Sequence, residues 1–453
     1  MQSRRDFLAH TLGGSSLLAI GSVVPEFLAN TAIAADKTEK GKDTVLVVIE
    51  LTGGNDGLNM IPPFADDLYQ KARPTLGFNK KEVLKLDDYC GLHPRMNEMK
   101  GLFDSKNLAV VRGVGYPNPD RSHFESMDIW QLADPKRAQT SGWLARTIPG
   151  MSIKDAGVPG MFIGDDRLPV ALQGADGGVI SLANRANFKL QLTGNEKPRK
   201  KLIEDLNSGS ENDSAKADLT SFVRKRQLQT YSSLQKIEEA LKQTAPPEQN
   251  QPVFRQGNRD MNDLATLNGK LGLIARLIQK GIGTRIYYVQ LTGFDTHAEQ
   301  SKPHGDLLGE LSSSVGSFFN TLGGGEAAER VALMTYSEFG RRVKENGSRG
   351  TDHGSGSNMF VAGQKVIGGL VGKYPSLSDL ADGDLRYHTD FRRVYASLLE
   401  DWLGVESRIV LGDSFERLAL IDMDKKPSTP NAPGGPPAAV PAGVVPPPAV
   451  SRG

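Results

Sequence analysis

Apolar residues gather along this chain in two kinds of pattern. Short, nearly unbroken apolar runs occur at Thr44–Leu51, Leu108–Val114, Arg285–Leu291 and Val331–Tyr336, with a shorter one at Met359–Val361. Runs of this length without alternation predict strands buried on both faces, as in a parallel sheet covered by helices. Between them, Ser122–Leu132, Leu264–Lys280, Gly305–Leu322 and Phe391–Leu403 carry apolar residues at the helical period. The alternation of the two patterns predicts an α/β fold, a three-layer sandwich with a mostly parallel central sheet flanked by helices.

Three segments break the alternation. The chain opens with the pair Arg4-Arg5, a weakly apolar stretch Leu8–Val24 diluted by Gly and Ser, and then Ala32-Ile33-Ala34. Charge, apolar run and small residues in that order predict a secretion signal over residues 1–34, and the arginine pair with modest hydrophobicity predicts the twin-arginine (Tat) route. The stretch is too short and too rich in Gly and Ser to predict a membrane span. The expected partner is then the Tat export machinery, and the expected location periplasmic or secreted. Residues 195–257 are polar, with NEKPRKK and NSGSENDSAKAD ahead of a helically spaced stretch at Leu219–Leu241, and predict a helical insertion within a single domain over 35–426. Residues 427–453 are rich in Pro, Ala and Gly and predict a disordered tail.

Composition narrows the function classes. The 54 basic and 53 acidic residues leave a formal net charge of +1, with no polybasic footprint for nucleic acid. No second apolar run predicts a transmembrane span in the mature chain. Cys90 is the single cysteine, so the core must be stabilised by packing without an internal disulfide.

The polar residues that follow the strands carry the chemistry. In open α/β sheets, ligands bind at the carboxyl ends of the strands. The segment after the first strand holds Asp56, the one after the third holds Asp295-Thr296-His297, and the one after the fourth leads to Asp352-His353-Gly354. Carboxylates and imidazoles gathered at one sheet edge predict a divalent-metal site of zinc, manganese, calcium or magnesium type. Plainer roles stand beside each: a turn after two glycines for Asp56, a helix N-cap for Asp295, and a turn ending in Gly for Asp352 and His353. After the second strand, Ser122-His123-Phe124-Glu125 has the form of a capping box. A hydroxyl at a helix N-terminus also sits in positive potential, a place for an attacking oxygen or an anion. Arg121, Arg341 and Arg342 are candidates to hold a phosphate- or sulfate-like group. His388 precedes the last helix and is either a capping-region residue or a late metal ligand. His304 is a weaker ligand candidate, and His93 has no partner pattern.

The segments GGNDGLN (53–59), HPRMNEMKGLF (93–103), RSHFESMDIWQ (121–131), GFDTH (293–297), SEFGRR (337–342), TDHGSGSNMFVAG (351–363) and DFRRVYASLLEDWLG (390–404) resemble a family of Tat-exported bacterial proteins known as domain of unknown function fifteen-oh-one. The order of strand, Asp, hydroxyl-bearing helix start, Asp-x-His and Asp-His-Gly resembles the alkaline phosphatase/sulfatase superfamily. That resemblance implies a metal site at the strand ends, with Asp56, Asp352 and His353 on one metal and Asp295, His297 and His388 on a second. Two ions ~3.5–4 Å apart would stabilise the attacking and leaving oxygens of an in-line displacement, with Ser122 as the nucleophile activated by metal coordination. The segment Cys90-Gly91-Leu92-His93-Pro94 lacks the arginine of a formylglycine element, which argues against a formylglycine sulfatase. The absence of a Gly-x-Ser-x-Gly elbow argues against a Ser-His-Asp hydrolase. The expectation is an exported metal-dependent hydrolase of phosphate or sulfate esters, acting on a small-molecule or polysaccharide ester. Its rival is a non-catalytic exported binding protein on the same fold.

Overall fold

The computed structural model describes residues 43–151, 158–164, 167–174, 179–182 and 264–426. The predicted signal, the 195–257 insertion and the 427–453 tail lie outside them. Among the described residues no helix is long and apolar enough to cross a membrane.

One nine-stranded sheet organises the chain. Its strands are β1 (Val45–Thr52), β2 (Leu108–Gly115), β3 (Gly160–Ile163), β4 (Ile180–Leu182), β5 (Ile286–Thr292), β6 (Val331–Tyr336), β7 (Ser357–Ala362), β8 (Gly369–Val371) and β9 (Thr389–Asp390). They lie in the order β8-β2-β7-β6-β1-β5-β3-β4, with β9 also paired to β2. Every pairing is parallel except those of β7, which runs antiparallel to both β2 and β6. All five predicted strands form. The four short strands β3, β4, β8 and β9 were not anticipated, because runs of two to four residues show no period.

Register sets the site edge. Glu50 lies level with Gln290 on one side and with Tyr336 on the other, so β1, β5 and β6 end side by side. Because β7 is reversed, it begins at that edge. Residues 337–356, which join β6 to β7, therefore leave the edge and return to it.

Helices cover both faces. On one side lie α1 (Asn97–Asp104), α4 (Leu267–Gln279) and α5 (Ser301–Leu322); on the other lie α2 (His123–Leu132), α3 (Trp143–Thr147) and α6 (Phe391–Ser397). Alternate residues of β1 divide between them, as the two-residue strand period requires. Val45, Val47, Ile49 and Leu51 pack with Met99, Leu271, Ile274, Leu311 and Val315. Leu46 and Val48 pack with the layer holding Trp130, Trp143, Tyr395 and Trp402. The predicted helix Phe391–Leu403 has the expected extent, but Leu398–Leu403 is wound as a π-helix. Glu50 interrupts the apolar run of β1 and is buried on the α2 side. It accepts hydrogen bonds from Gln131 Nε2 (2.9 Å), Thr52 Oγ1 (3.0 Å), Gln290 Nε2 (3.1 Å) and the Tyr288 hydroxyl, while burial pushes its pKa up.

The π-helical segment Leu398–Leu403 is tied to the start of β1. Trp402 Nε1 donates to the Val45 carbonyl at 3.0 Å, and Thr44 Oγ1 donates to the Trp402 carbonyl at 2.7 Å. Replacing the buried indole in Trp402→Ala should cost about 3–5 kcal/mol, read by denaturant unfolding.

Candidate metal centre

The loops that build the centre come together because small residues let them. After β1 the chain turns through Gly53 (φ +119°) and Gly54 (φ +70°), both in the left-handed region. A Cβ on Gly53 would stand 2.5 Å from the Asp295 amide, and one on Gly54 would overlap the Phe339 ring. The β1 loop, the β5 loop and the 337–356 excursion thus meet at one point.

Four ligand-type side chains converge there. His123 is the first residue of α2, Asp295 and His297 follow β5, and His353 lies in the excursion, bridged to Arg341 in a short antiparallel contact. The Nε2 atoms of His123, His297 and His353 stand 3.6, 3.0 and 3.2 Å from Asp295 Oδ1. The His297 and His353 Nε2 atoms are 2.9 Å apart. Ligand atoms of His123, Asp295 and His353 all lie within 4.8 Å of one another.

The outer imidazole nitrogens explain which way the inner ones face. His123 Nδ1 is 2.8 Å from Glu338 Oε1, His353 Nδ1 is 2.9 Å from the Arg121 carbonyl, and His297 Nδ1 is 3.4 Å from Asp352 Oδ1. An acceptor behind each Nδ1 favours the ring proton there, the tautomer that would present Nε2 to a metal. His123 Nε2 is buried without a hydrogen-bond partner. The close set of His123, Asp295 and His353, with His297 Nε2 beside the latter two, is a nitrogen-rich donor set that fits a divalent cation.

Electrostatics support the same arrangement. Burial would raise the Asp295 pKa, but hydrogen bonding to Arg341 and its charge hold the carboxyl below the usual range. The Glu338 hydrogen bond raises His123. The Asn346 hydrogen bond lowers Asp352.

The structure places the candidates from the sequence differently from one another. Asp295, His297 and His353 are brought together. Asp352 stands behind His297, where Asn346 Nδ2 donates to it at 3.1 Å. Asp56 lies outside the cluster, buried in an ion pair with Arg73, whose Nη1 and Nη2 donate to its two oxygens at 2.6 and 3.2 Å. His388 packs against Gly113 at the outer edge of β2, with its Nδ1 3.1 Å from Thr389 Oγ1. With Asp56 and His388 elsewhere, the described residues form one metal-ligand cluster, and the second ion of the expected pair lacks its ligands.

The groups expected to attack or to hold an anion are also redirected. The Ser122 side chain is exposed and makes no cap hydrogen bond, and the capping box does not close, because Glu125 pairs with Arg137. Arg121 donates to Asp384 Oδ2 (2.9 Å) and Asp382 Oδ2 (3.0 Å). Arg341 is buried and donates to Asp295 Oδ1 (2.7 Å), the Thr351 carbonyl (2.8 Å), the Phe294 carbonyl (3.0 Å) and the carbonyls of Gly53 and Gly54. His304 is buried against Asn55, with burial pushing its pKa down to about 4.

Two residues at the centre were not singled out from the sequence. His123 was absorbed into the capping-box pattern, although it follows a strand as the other ligands do. Glu338 sits in Ser337-Glu338-Phe339-Gly340-Arg341, which has no metal-ligand spacing of its own.

The chain matches the family model described as "Protein of unknown function (DUF1501)" over residues 43–400. It belongs to that family. No curated protein matches it. Among solved structures, the PsFucS1 sulfatase from Pseudoalteromonas sp. is 10% identical with a TM-score of 0.35, over 90% of this chain and 78% of that one. A protein in the alkaline phosphatase superfamily from Vibrio parahaemolyticus is 9% identical with a TM-score of 0.34, over 87% and 78%. The lipoteichoic acid synthase LtaP from Listeria monocytogenes is 9% identical with a TM-score of 0.35, over 87% and 82%. Likenesses this distant carry nothing about the chemistry of the present chain.

In this DUF1501 member the Asp56–Arg73 pair is a stability element. Burial would raise the Asp56 pKa, yet the Arg73 guanidinium beside it brings it down to about 2. A depressed carboxylate contributes stability above its unfolded pKa, roughly 4, and loses that contribution as pH falls toward 2. Asp56→Ala should therefore cost about 3–5 kcal/mol at neutral pH, because it leaves a buried guanidinium unpaired. Urea unfolding between pH 7 and 2 should show the difference from wild type shrinking over that acid window.

Proposed function

We propose that this chain is an exported hydrolase of phosphate or sulfate esters that works with a single divalent metal ion. The observation that carries the proposal is the convergence of the His123, His297 and His353 Nε2 atoms on Asp295 Oδ1, each ring backed by an acceptor at Nδ1. Three nitrogens and one oxygen favour zinc or manganese over calcium or magnesium, which prefer all-oxygen shells. Such an ion would polarise an ester oxygen and lower the pKa of water beside it.

The chain's own residues would prepare that chemistry. Arg341 keeps Asp295 ionised and aimed. Glu338, the Arg121 carbonyl and Asp352 hold the three imidazoles in one tautomer. His297 and Asp295 have side chains 44% and 48% exposed, so the centre is open to an incoming small-molecule or polysaccharide ester. In this reading the attacking oxygen comes from solvent, and Ser122 has no part in the reaction. Residues 1–34 would direct the folded protein through the Tat machinery to the periplasm or beyond, with metal bound before export.

A non-catalytic binding protein is the second reading. It is favoured by the engagement of Arg121 and Arg341 with protein acceptors, which leaves neither guanidinium to hold an anion.

Metal analysis of the purified mature protein tests the proposal, with about one zinc or manganese per chain expected. His353→Ala and Asp295→Ala should each lose it. Turnover of aryl phosphate or aryl sulfate esters by the metal-loaded protein would support the hydrolase. Metal bound with silence across the ester panel would favour the binding protein, and no metal under any loading condition would contradict the hydrolase.

A further inference from the structure

We infer that Glu338 is the positioning residue that sets metal affinity at this centre, an inference that rests on the metal-centre reading above. Glu338 is fully buried. Its Oε1 accepts from the Gly53 amide at 2.8 Å and lies 2.8 Å from His123 Nδ1, while its Oε2 is 2.9 Å from Ser337 Oγ. Its main-chain carbonyl accepts from Ser126 Oγ, one turn further along the helix that His123 begins. Glu338 thus grips the first turn of α2 twice, once by side chain and once by backbone.

This grip matters because His123 is the ligand least fixed by its own element. As the first helical residue it has an amide without an intrahelical acceptor, and its ring is partly exposed. A free imidazole exchanges between two tautomers. The acceptor oxygen behind Nδ1 selects the one with its lone pair on Nε2 and fixes the direction in which the ring faces the centre.

The neighbours of Glu338 extend the role. The Phe339 ring packs 4.8 Å from the rings of both His123 and His353, which lie 4.4 Å from each other. Arg341 holds Asp295. The five residues Ser337–Arg341 therefore act as a template for three ligands, and Glu338 is the member that touches a ligand nitrogen.

Three substitutions separate position from charge. Glu338→Gln keeps the reach and an acceptor oxygen but loses the charge. Glu338→Asp keeps the charge and loses the reach. Glu338→Ala loses both. Affinity of the mature protein for zinc and for manganese is measured by competition with a chromophoric chelator, and folding is checked by circular dichroism. The Ala and Asp variants should bind ~10–100-fold more weakly than wild type, with Gln within a few-fold of it. A folded Ala or Asp variant that binds as tightly as wild type would overturn the inference. So would a Gln variant as weak as Ala, since charge and not position would then be the cause. Should Ala fail to fold, the comparison of Asp with Gln still decides. Wild type that binds no metal would overturn the centre itself, whereas wild type that binds with indifferent variants would overturn only the role of Glu338.

Discussion

The guanidinium of Arg341 is the interaction on which the centre depends. It is a buried positive charge whose donors must all find acceptors. It finds them in Asp295 and in the carbonyls of Gly53, Gly54, Phe294 and Thr351. Those acceptors come from the β1 loop, the β5 loop and the excursion between β6 and β7. Satisfying one cation therefore requires three loops to meet, and the metal-ligand cluster forms where they do. Asp295 is the carboxylate in that set, which keeps it ionised and aimed inward.

The reversed strand β7 supplies most of what surrounds it. In an all-parallel sheet each strand gives one outgoing loop at the carboxyl edge. Here residues 337–356 leave that edge and return to it, and in one excursion they deliver Glu338, Phe339, Arg341, Asp352 and His353. Asp295 and Arg341 neutralise each other, while Glu338 and Asp352 stand behind two of the imidazoles. The two carboxylates behind the imidazoles leave the centre as a whole with more negative than positive charge, which suits a cation better than a free anion.

Much of the fold could be read from the chain because its signals are local. The apolar runs of β1, β2, β5, β6 and β7 each report burial on both faces. The direction of β7 could not be read, since an apolar run carries no sense of parallel or antiparallel. The site divides along the same line. Asp295, His297 and His353 were legible because they follow strands. Asp56 does so too, but its partner Arg73 lies 17 residues on, and only the folded chain shows that the pair is buried. His123 was concealed by Ser122 and Glu125, whose spacing predicts a cap that the Glu125–Arg137 pair prevents. Arg341 looks like an anion binder in sequence, and nothing local reveals that its donors point at carbonyls.

X-ray absorption at the metal edge, on the mature protein loaded with one equivalent of zinc, tests the central claim most directly. A first shell of three nitrogens and at least one oxygen, with the multiple-scattering pattern of three imidazoles that drops to two in His123→Ala, is the expected result. A shell of oxygens alone, or an imidazole count unchanged by His123→Ala, would contradict it.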